Sequence, residues 1–380
     1  MLKIACHQNC SPHYRKRLFE LLCSDDRIQF TILSDIVSDS PGIKVIDFQN
    51  TSVRSVLCPA RTIWSRLFWH PKAVNYIRRE KHDVVITIGS PYVLTAWFLL
   101  LWGRLARVPV ILWTHGLLRQ ESGLKGMVRL TFYKLAAALL LYGDHAKSLL
   151  CNAGIDPQRM FVIYNSLDSE MQDLHLRNVT PNDINVFRSR IGIGCEDRVV
   201  IFCGRLQANK KLGLLLEAVG MLRLRSRVVH VLFVGEGNEK VSLGQQSERL
   251  GINSQLHFLG ESYDERFIAT AFMASDLSVI PSGAGLSVMH ALGYGVPVLL
   301  HDRPEEHFPE WEAVQAGKTG FFYRYGNIAD MAAQIETALF PTPRKMEMAE
   351  ACLSMIRNRY NAGSHAEAIM AAVKQVIAGR

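Results

Sequence analysis

A chain of 380 residues is too long for one ordinary hydrophobic core and fits two domains of about 150 to 200 residues each. Hydrophobic residues at 48% and charged residues at 21% exclude a long disordered tail. The net charge of +8 is uneven: residues 1–150 hold 20 Lys and Arg against 10 Asp and Glu, the rest 23 against 25. The first half therefore suits an acidic lipid surface or a phosphate-bearing substrate, unless its charges are only a scattered solvated face.

Short β-branched runs alternate with longer helical patterns, the sign of parallel sheets with helices on both faces. In the first half, strands are predicted over 2–6, 29–33, 84–88, 108–113 and 161–164, and helices over 14–22, 71–81, 92–107 and 145–153. The apolar run 92–102 is well short of the roughly 18 residues that cross a bilayer, so it reads as a buried helix. Residues 126–142 read as a core-facing amphipathic helix followed by a buried strand, or as a segment lying on a membrane surface.

The pattern pauses over the polar stretch 166–183, the best domain boundary. Strands then follow at 199–203, 229–234, 256–259, 277–280 and 296–300, with helices at 184–191, 212–224, 239–250, 264–273 and 286–294. Terminal helices are predicted near 328–339, 344–358 and 366–377, the last crossing back onto the first domain. The fold class is α/β, with two doubly wound, Rossmann-like domains facing a cleft: 1–170, 171–360, and a C-terminal helix in 361–380. Eight cysteines without a CxxC pair or zinc spacing read as free thiols of a reducing compartment. A start that opens directly on an apolar strand points to the cytosol.

Ligands of parallel sheets bind beyond the carboxyl ends of the strands, so the residues directly after each strand carry the chemistry. Gly204-Arg205-Leu206 with Lys210 follows the strand 199–203. A guanidinium with two donors and a compact ammonium suit a diphosphate, and the same pair would stabilise a departing one; plain surface charge is the rival reading. Pro281-Ser282-Gly283-Ala284-Gly285-Leu286-Ser287 leaves the next strand for a helix. Its small residues and helix-start amides make a second phosphate cradle. His290, one turn further, would reach a ribose or sugar hydroxyl, or else belongs to the helix packing. Gly235-Glu236-Gly237 looks like a fragment of a dinucleotide fingerprint without its third glycine, and an oxidoreductase reading rests on it alone.

With Leu214-Leu215-Leu216-Glu217-Ala218, Val234-Gly235-Glu236-Gly237, Phe258-Leu259-Gly260, Ala274-Ser275-Asp276-Leu277, Ala291 to Val298 and Glu312 to Gly320, these segments resemble the family-4 glycosyltransferases of the GT-B fold over roughly 160 residues. The resemblance implies a retaining transferase whose 171–360 domain binds a nucleotide-sugar and whose 1–170 domain binds the acceptor. By it, Arg205 and Lys210, with Gly204, hold the donor diphosphate. The amides of Gly285, Leu286 and Ser287 hold its distal phosphate, and Phe258, Leu259 and Gly260 lie beside the base. Most members carry two glutamates eight positions apart where this chain has Ser282 and His290; both can still hydrogen-bond a sugar or ribose hydroxyl. Glu312 matches a family glutamate, and Glu310 lies close enough in sequence to contact the sugar, unless the two are a solvated acidic face.

In the first half, Trp113-Thr114-His115-Gly116 resembles the family segment that approaches the reacting sugar, which makes His115 a catalytic candidate beside Arg205 and Lys210, or else a core histidine. Asn9, His13, Tyr14 and Arg15, placed in the first loop, are acceptor-side candidates. Arg15 opposes the dipole at a helix start, so an anionic ligand would rationalise it. No Asp-x-Asp occurs, so no metal or other cofactor is expected, the nucleotide-sugar being a co-substrate. The expected partners are that donor, a glycan or lipid-linked acceptor of cell-surface polysaccharide or lipopolysaccharide synthesis, and a peripheral contact of the basic half with the inner face of the cell membrane, but no nucleic acid. A sugar-nucleotide-binding protein that has lost catalysis is the alternative, suggested by Ser282 and His290.

Overall fold

Parallel strands covered by helices on both faces must be apolar on both sides, and the Val, Ile and Leu runs of this chain meet that demand. The computed structural model describes residues 1–37, 44–64, 66–340 and 345–379. It divides the chain into two compact units, Met1–Asp168 with Tyr360–Arg380, and Ser169–Arg359.

The first unit contains β1 (Leu2–Cys10), α1 (Lys16–Leu22), β2 (Ile28–Asp35), β3 (Ser55–Leu57), β4 (Arg61–Ile63), β5 (Leu67–Trp69), α2 (Pro71–Arg79), β6 (Val84–Ile88), α3 (Leu94–Ala106), β7 (Val110–Thr114), α4 (Gly123–Leu135), β8 (Ala138–Leu141), α5 (Asp144–Asn152) and β9 (Met160–Val162). Its parallel sheet runs β3-β2-β1-β6-β7-β8-β9. Alternate residues feed opposite cores. Ile4, Cys6, Ile86, Ile111 and Trp113 pack on one side, and Ala5, Val85, Val110 and Leu112 on the other.

The second unit contains α6 (Ser169–Asn178), α7 (Pro181–Arg190), β10 (Arg198–Cys203), α8 (Leu212–Leu224), β11 (Val229–Val234), α9 (Lys240–Arg249), β12 (Leu256–Gly260), α10 (Glu265–Met273), β13 (Leu277–Val279), α11 (Leu286–Gly293), β14 (Val298–His301), β15 (Gly320–Tyr323), α12 (Ile328–Leu339) and α13 (Lys345–Asn358). Its sheet runs β12-β11-β10-β13-β14-β15. The chain then rejoins the first unit as α14 (Ala362–Ala378), which packs on α1 and gives Ala362, Ala366, Ile369, Ala372 and Val373 to the first core.

Strand order reverses direction between β1 and β6 in one unit and between β10 and β13 in the other, and such switch points are where open α/β sheets bind ligands.

Several expectations change. Asn9 belongs to β1, which runs four residues beyond the predicted strand and carries it out of the first loop. His13–Arg15 form a 3-10 turn ahead of α1. The two units divide within the polar stretch 166–183, between Asp168 and Ser169, but the stretch also holds α6 and the start of α7. Only Gln172 of α6 is buried, so the helix has no apolar stripe to read. A Cβ on Gly293 would lie 2.4 Å from the Gln172 amide oxygen, which shows how closely the two helices approach. The start of α7 did have a signal, the reciprocal capping box of Thr180 and Asp183 with Pro181 in the first turn. The antiparallel pair β4 and β5 and the edge strand β3 were unread because three-residue strands show no period. Arg344, the predicted start of α13, lies outside the described residues.

Candidate active site

At the switch point of the second unit, the turn after β10 is built by close backbone approach. Gly204 N–H donates to Val234 O (2.9 Å), Leu206 N–H to Glu236 O (2.9 Å) and Glu239 N–H to Leu206 O (3.1 Å). A Cβ on Gly235 would lie 2.0 Å from Gly204 O, and one on Gly237 2.1 Å from Leu206 O. These two glycines therefore let the Gly204-Arg205-Leu206 turn lie against the next loop, which replaces the dinucleotide-fingerprint reading.

Lys210 ends the 3-10 turn Ala208–Lys210 and donates from Nζ to Gly283 O at 2.7 Å, tying the β10 turn to the β13 loop. Burial, and then the neighbouring Arg205, lower its pKa, the mark of two cations held near one place. One Nζ proton is used by Gly283, which leaves two for a ligand. Arg205 is exposed. It also acts on Tyr263, which donates to Glu261 (3.1 Å).

In the β13 loop, Ser282 is buried and Gly283 adopts φ +61°. Gly285 is the N-cap of α11, and no side chain caps that helix. The leading amides at Leu286 and Ser287 are thus placed as a helix-start anion site would require. His290 is half-buried with its ring parallel to Phe272 at 6.5 Å, so part of its surface serves helix packing. Glu310 is 4% exposed, which rules out a solvated face for it, whereas Glu312 is half-buried.

Phe258, Leu259 and Gly260 close β12. Beside them Lys240 pairs with Glu236 (2.8 Å) and lies 5.9 Å from the Phe258 ring centre. Glu236 enters the sequence reading only as the middle of Gly235-Glu236-Gly237, and Lys240 and Tyr263 do not enter it at all, since no spacing signal joins them to the β10 turn.

The first unit places His7 at its own switch point, Nδ1 2.9 Å from Thr87 Oγ1 of β6, with the ring edge-on to His70 at 4.6 Å. Arg15 is buried, its guanidinium 4.7 Å from the Trp113 ring centre, and it donates to Tyr142 Oη and Gln8 Oε1. These neutral oxygens and π faces supply a reason for Arg15 that needs no anionic ligand. The His115 ring lies 4.7 Å from that of Tyr142, tilted by 41°. His365 of α14 reaches the same cluster, edge-on to Trp113 at 5.5 Å with Nδ1 2.9 Å from Ser166 Oγ. Tyr14 also faces Arg15, while His13 is exposed with its ring edge-on to that of Tyr14.

Solvent reaches His115, but protein packed around the ring, and then Arg15, depress its imidazole to about 4. It is therefore neutral at pH 7 and able to accept or donate one hydrogen bond. NMR titration should place its midpoint far below 6.5, and Arg15→Met should raise it only part of the way, since burial is the larger cause. A wild-type midpoint near 6.5 would refute this. Cys6 and Cys203 are pushed up to about 12 by burial, so neither is a thiolate nucleophile. Among the described residues, no group of three or more His, Cys, Asp or Glu is placed to hold a metal ion.

Comparison with known proteins agrees with this layout. The family profile described as glycosyl transferases group 1 matches residues 197–340, and that of glycosyltransferase family 4 matches residues 24–171. The D-inositol 3-phosphate glycosyltransferase of Geodermatophilus obscurus is 31% identical over 208 residues, 52% of this chain but only 44% of that protein. The chain thus matches less than half the length of this relative. Among solved structures, Anabaena HepE in complex with UDP superposes with a TM-score of 0.75 at 19% identity, over 99% of this chain and 100% of that one. The lipopolysaccharide outer core galactosyltransferase WaaB, in its apo form, gives 0.72 at 13% identity, over 99% of each. These two likenesses establish the fold.

Proposed function

This chain belongs to the family-4, group 1 glycosyltransferases of the GT-B fold, and from that premise we propose that it moves a sugar from a nucleoside diphosphate sugar to a glycan or lipid-linked acceptor with retention of configuration. The observation that carries the reading is the bond from Lys210 Nζ to Gly283 O, which brings a cation pair and an uncapped helix start together at a switch point. The acceptor oxygen would attack the anomeric carbon on the face the diphosphate leaves. As the bond from that carbon to the phosphate oxygen breaks, the acceptor proton would pass to the leaving phosphate. Arg205 and Lys210 would neutralise the charge that grows there, in place of a metal ion. HepE has been solved with UDP and with UDP-glucose, which supports a uridine donor. WaaB supports a role in surface-glycan synthesis.

Thermal shift with UDP, GDP and dTDP tests the donor site, since a bound ligand stabilises by mass action. One base should raise the melting temperature by several degrees, and no shift with any of them would count against the reading. Donor consumption by the purified protein separates an enzyme from a binding protein that has lost catalysis, because the latter would bind nucleotide and release none.

The acceptor reading includes an anionic membrane at the cytosolic face. No helix among the described residues is long and apolar enough to cross a bilayer. The neighbouring helices α3 and α4 nevertheless expose Leu101, Leu105, Leu124, Met127 and Val128 beside the exposed Arg104, Arg107 and Lys125, the pairing that suits an acidic interface. The protein should sediment with vesicles containing phosphatidylglycerol but not with pure phosphatidylcholine, and Leu105→Glu with Met127→Glu should abolish this. Equal sedimentation with both lipids would exclude it.

A further inference from the structure

We propose that His307 is a positioning residue for the phosphate cradle, a neutral bridge that accepts from Ala284, donates to His301, and thereby shapes the loop between β13 and α11. The inference rests on the donor reading above, in which the amides after Ala284 meet the distal phosphate.

His307 is 2% exposed. Its Nδ1 lies 3.2 Å from Ala284 N and its Nε2 3.1 Å from His301 O. An amide N–H can only donate and a carbonyl can only accept, so Nδ1 is the acceptor and Nε2 carries the proton. A doubly protonated ring would turn a proton towards the Ala284 N–H and break the bridge. Phe308 N–H donates to Ala284 O at 2.7 Å, so both backbone groups of the buried Ala284 are tied to residues 307 and 308. Lys210 holds the preceding carbonyl.

The loop needs this outside support. Residues 283 to 285 are Gly-Ala-Gly, a run that is costly to order and has no side chains with which to order itself. His307 is itself held from below. The His301 ring lies parallel to it at 4.0 Å, with His301 Nδ1 accepting from Arg303 N–H at 3.2 Å and Tyr325 edge-on at 4.8 Å. Because Ala284 spends its N–H on His307, the amides left for a ligand begin at Gly285.

The groups that face the ring are Lys210 and His301 from neighbouring segments, and Glu305 and Glu306 from its own. Burial lowers the His307 pKa first and Lys210 adds to that, against the His301 carbonyl and the two glutamates. The folded state thus favours the neutral ring. The bridge is complete above the ordinary histidine range and weakens as pH falls below it.

The test compares wild type, His307→Ala, His307→Asn and His307→Gln in the full chain. Hydrogen exchange of the 281–288 amides is followed without ligand, and UDP, GDP, inorganic pyrophosphate and the parent nucleosides are titrated by calorimetry. Asparagine can present an oxygen near the Nδ1 position, whereas glutamine reaches the Nε2 side. The Ala and Gln variants should exchange faster over 281–288 and bind the diphosphates about tenfold more weakly, with nucleosides unchanged, while Asn should stay within about threefold of wild type. If Ala does not fold, the contrast of Asn with Gln decides. Wild-type exchange in the Ala or Gln variant, or an Asn variant as impaired as Gln, would overturn the proposal. If wild type binds no nucleoside diphosphate, the donor reading falls and the exchange measurement alone decides the role of His307.

Discussion

Replacing Lys210 with alanine is expected to lower sugar transfer by about tenfold to a thousandfold while leaving the melting temperature within a few degrees of wild type. Two losses combine in this variant. The ammonium that would face the leaving diphosphate disappears, and so does the 2.7 Å bond to Gly283 O. Lys210→Met does not separate them, since it keeps the stem but removes both the charge and the donor. Lys210→Arg restores charge but changes its shape, because a planar fork cannot reproduce a compact point charge bonded to one carbonyl. Arginine should therefore recover some turnover but less than all of it. Unchanged kcat and donor KM for Lys210→Ala would remove the diphosphate role from this residue.

The second large effect is on stability. Gly235→Ala should destabilise the second unit by about 3 kcal/mol or more, for two independent reasons. Gly235 adopts φ +146°, which side-chain-bearing residues rarely reach, and its new methyl would fall 2.0 Å from Gly204 O. That oxygen is backbone and cannot rotate away, so the Gly204-Arg205-Leu206 turn must shift. Urea unfolding should show the loss, and donor affinity should fall with it because Arg205 rides on the displaced turn. A midpoint within about 0.3 M of wild type would show that the turn yields more cheaply than its geometry implies.

The same glycines mark what could and could not be read from the sequence. The β/α alternation was plain because two-sided burial forces continuous Val, Ile and Leu runs. The two loops of the donor-side switch point were plain because glycine and a cation directly follow one strand and a run of small residues follows the other. Gly235 and Gly237 were open to misreading, since glycine serves equally where a phosphate approaches the backbone and where another loop does. Helix α6 escaped because its one buried residue, Gln172, is polar. His307 was invisible for another reason: its partner Ala284 lies 23 positions earlier, and nothing local links the two. Arg15 shows the remaining limit. Its position at a helix start suggested an anion, and only the fold reveals the Trp113 and Tyr142 rings that surround it.

The return of α14 also bears on how the protein is made. The first 168 residues contain every strand of the first sheet, yet one face of that sheet is finished by Ala362, Ala366, Ile369 and Val373. During synthesis, at roughly 5 to 20 residues per second, the nascent first unit waits some tens of seconds with an apolar surface uncovered while the second unit is translated. The second unit, continuous from Ser169 to Arg359, has no such wait. Although translated later, it can close its core first.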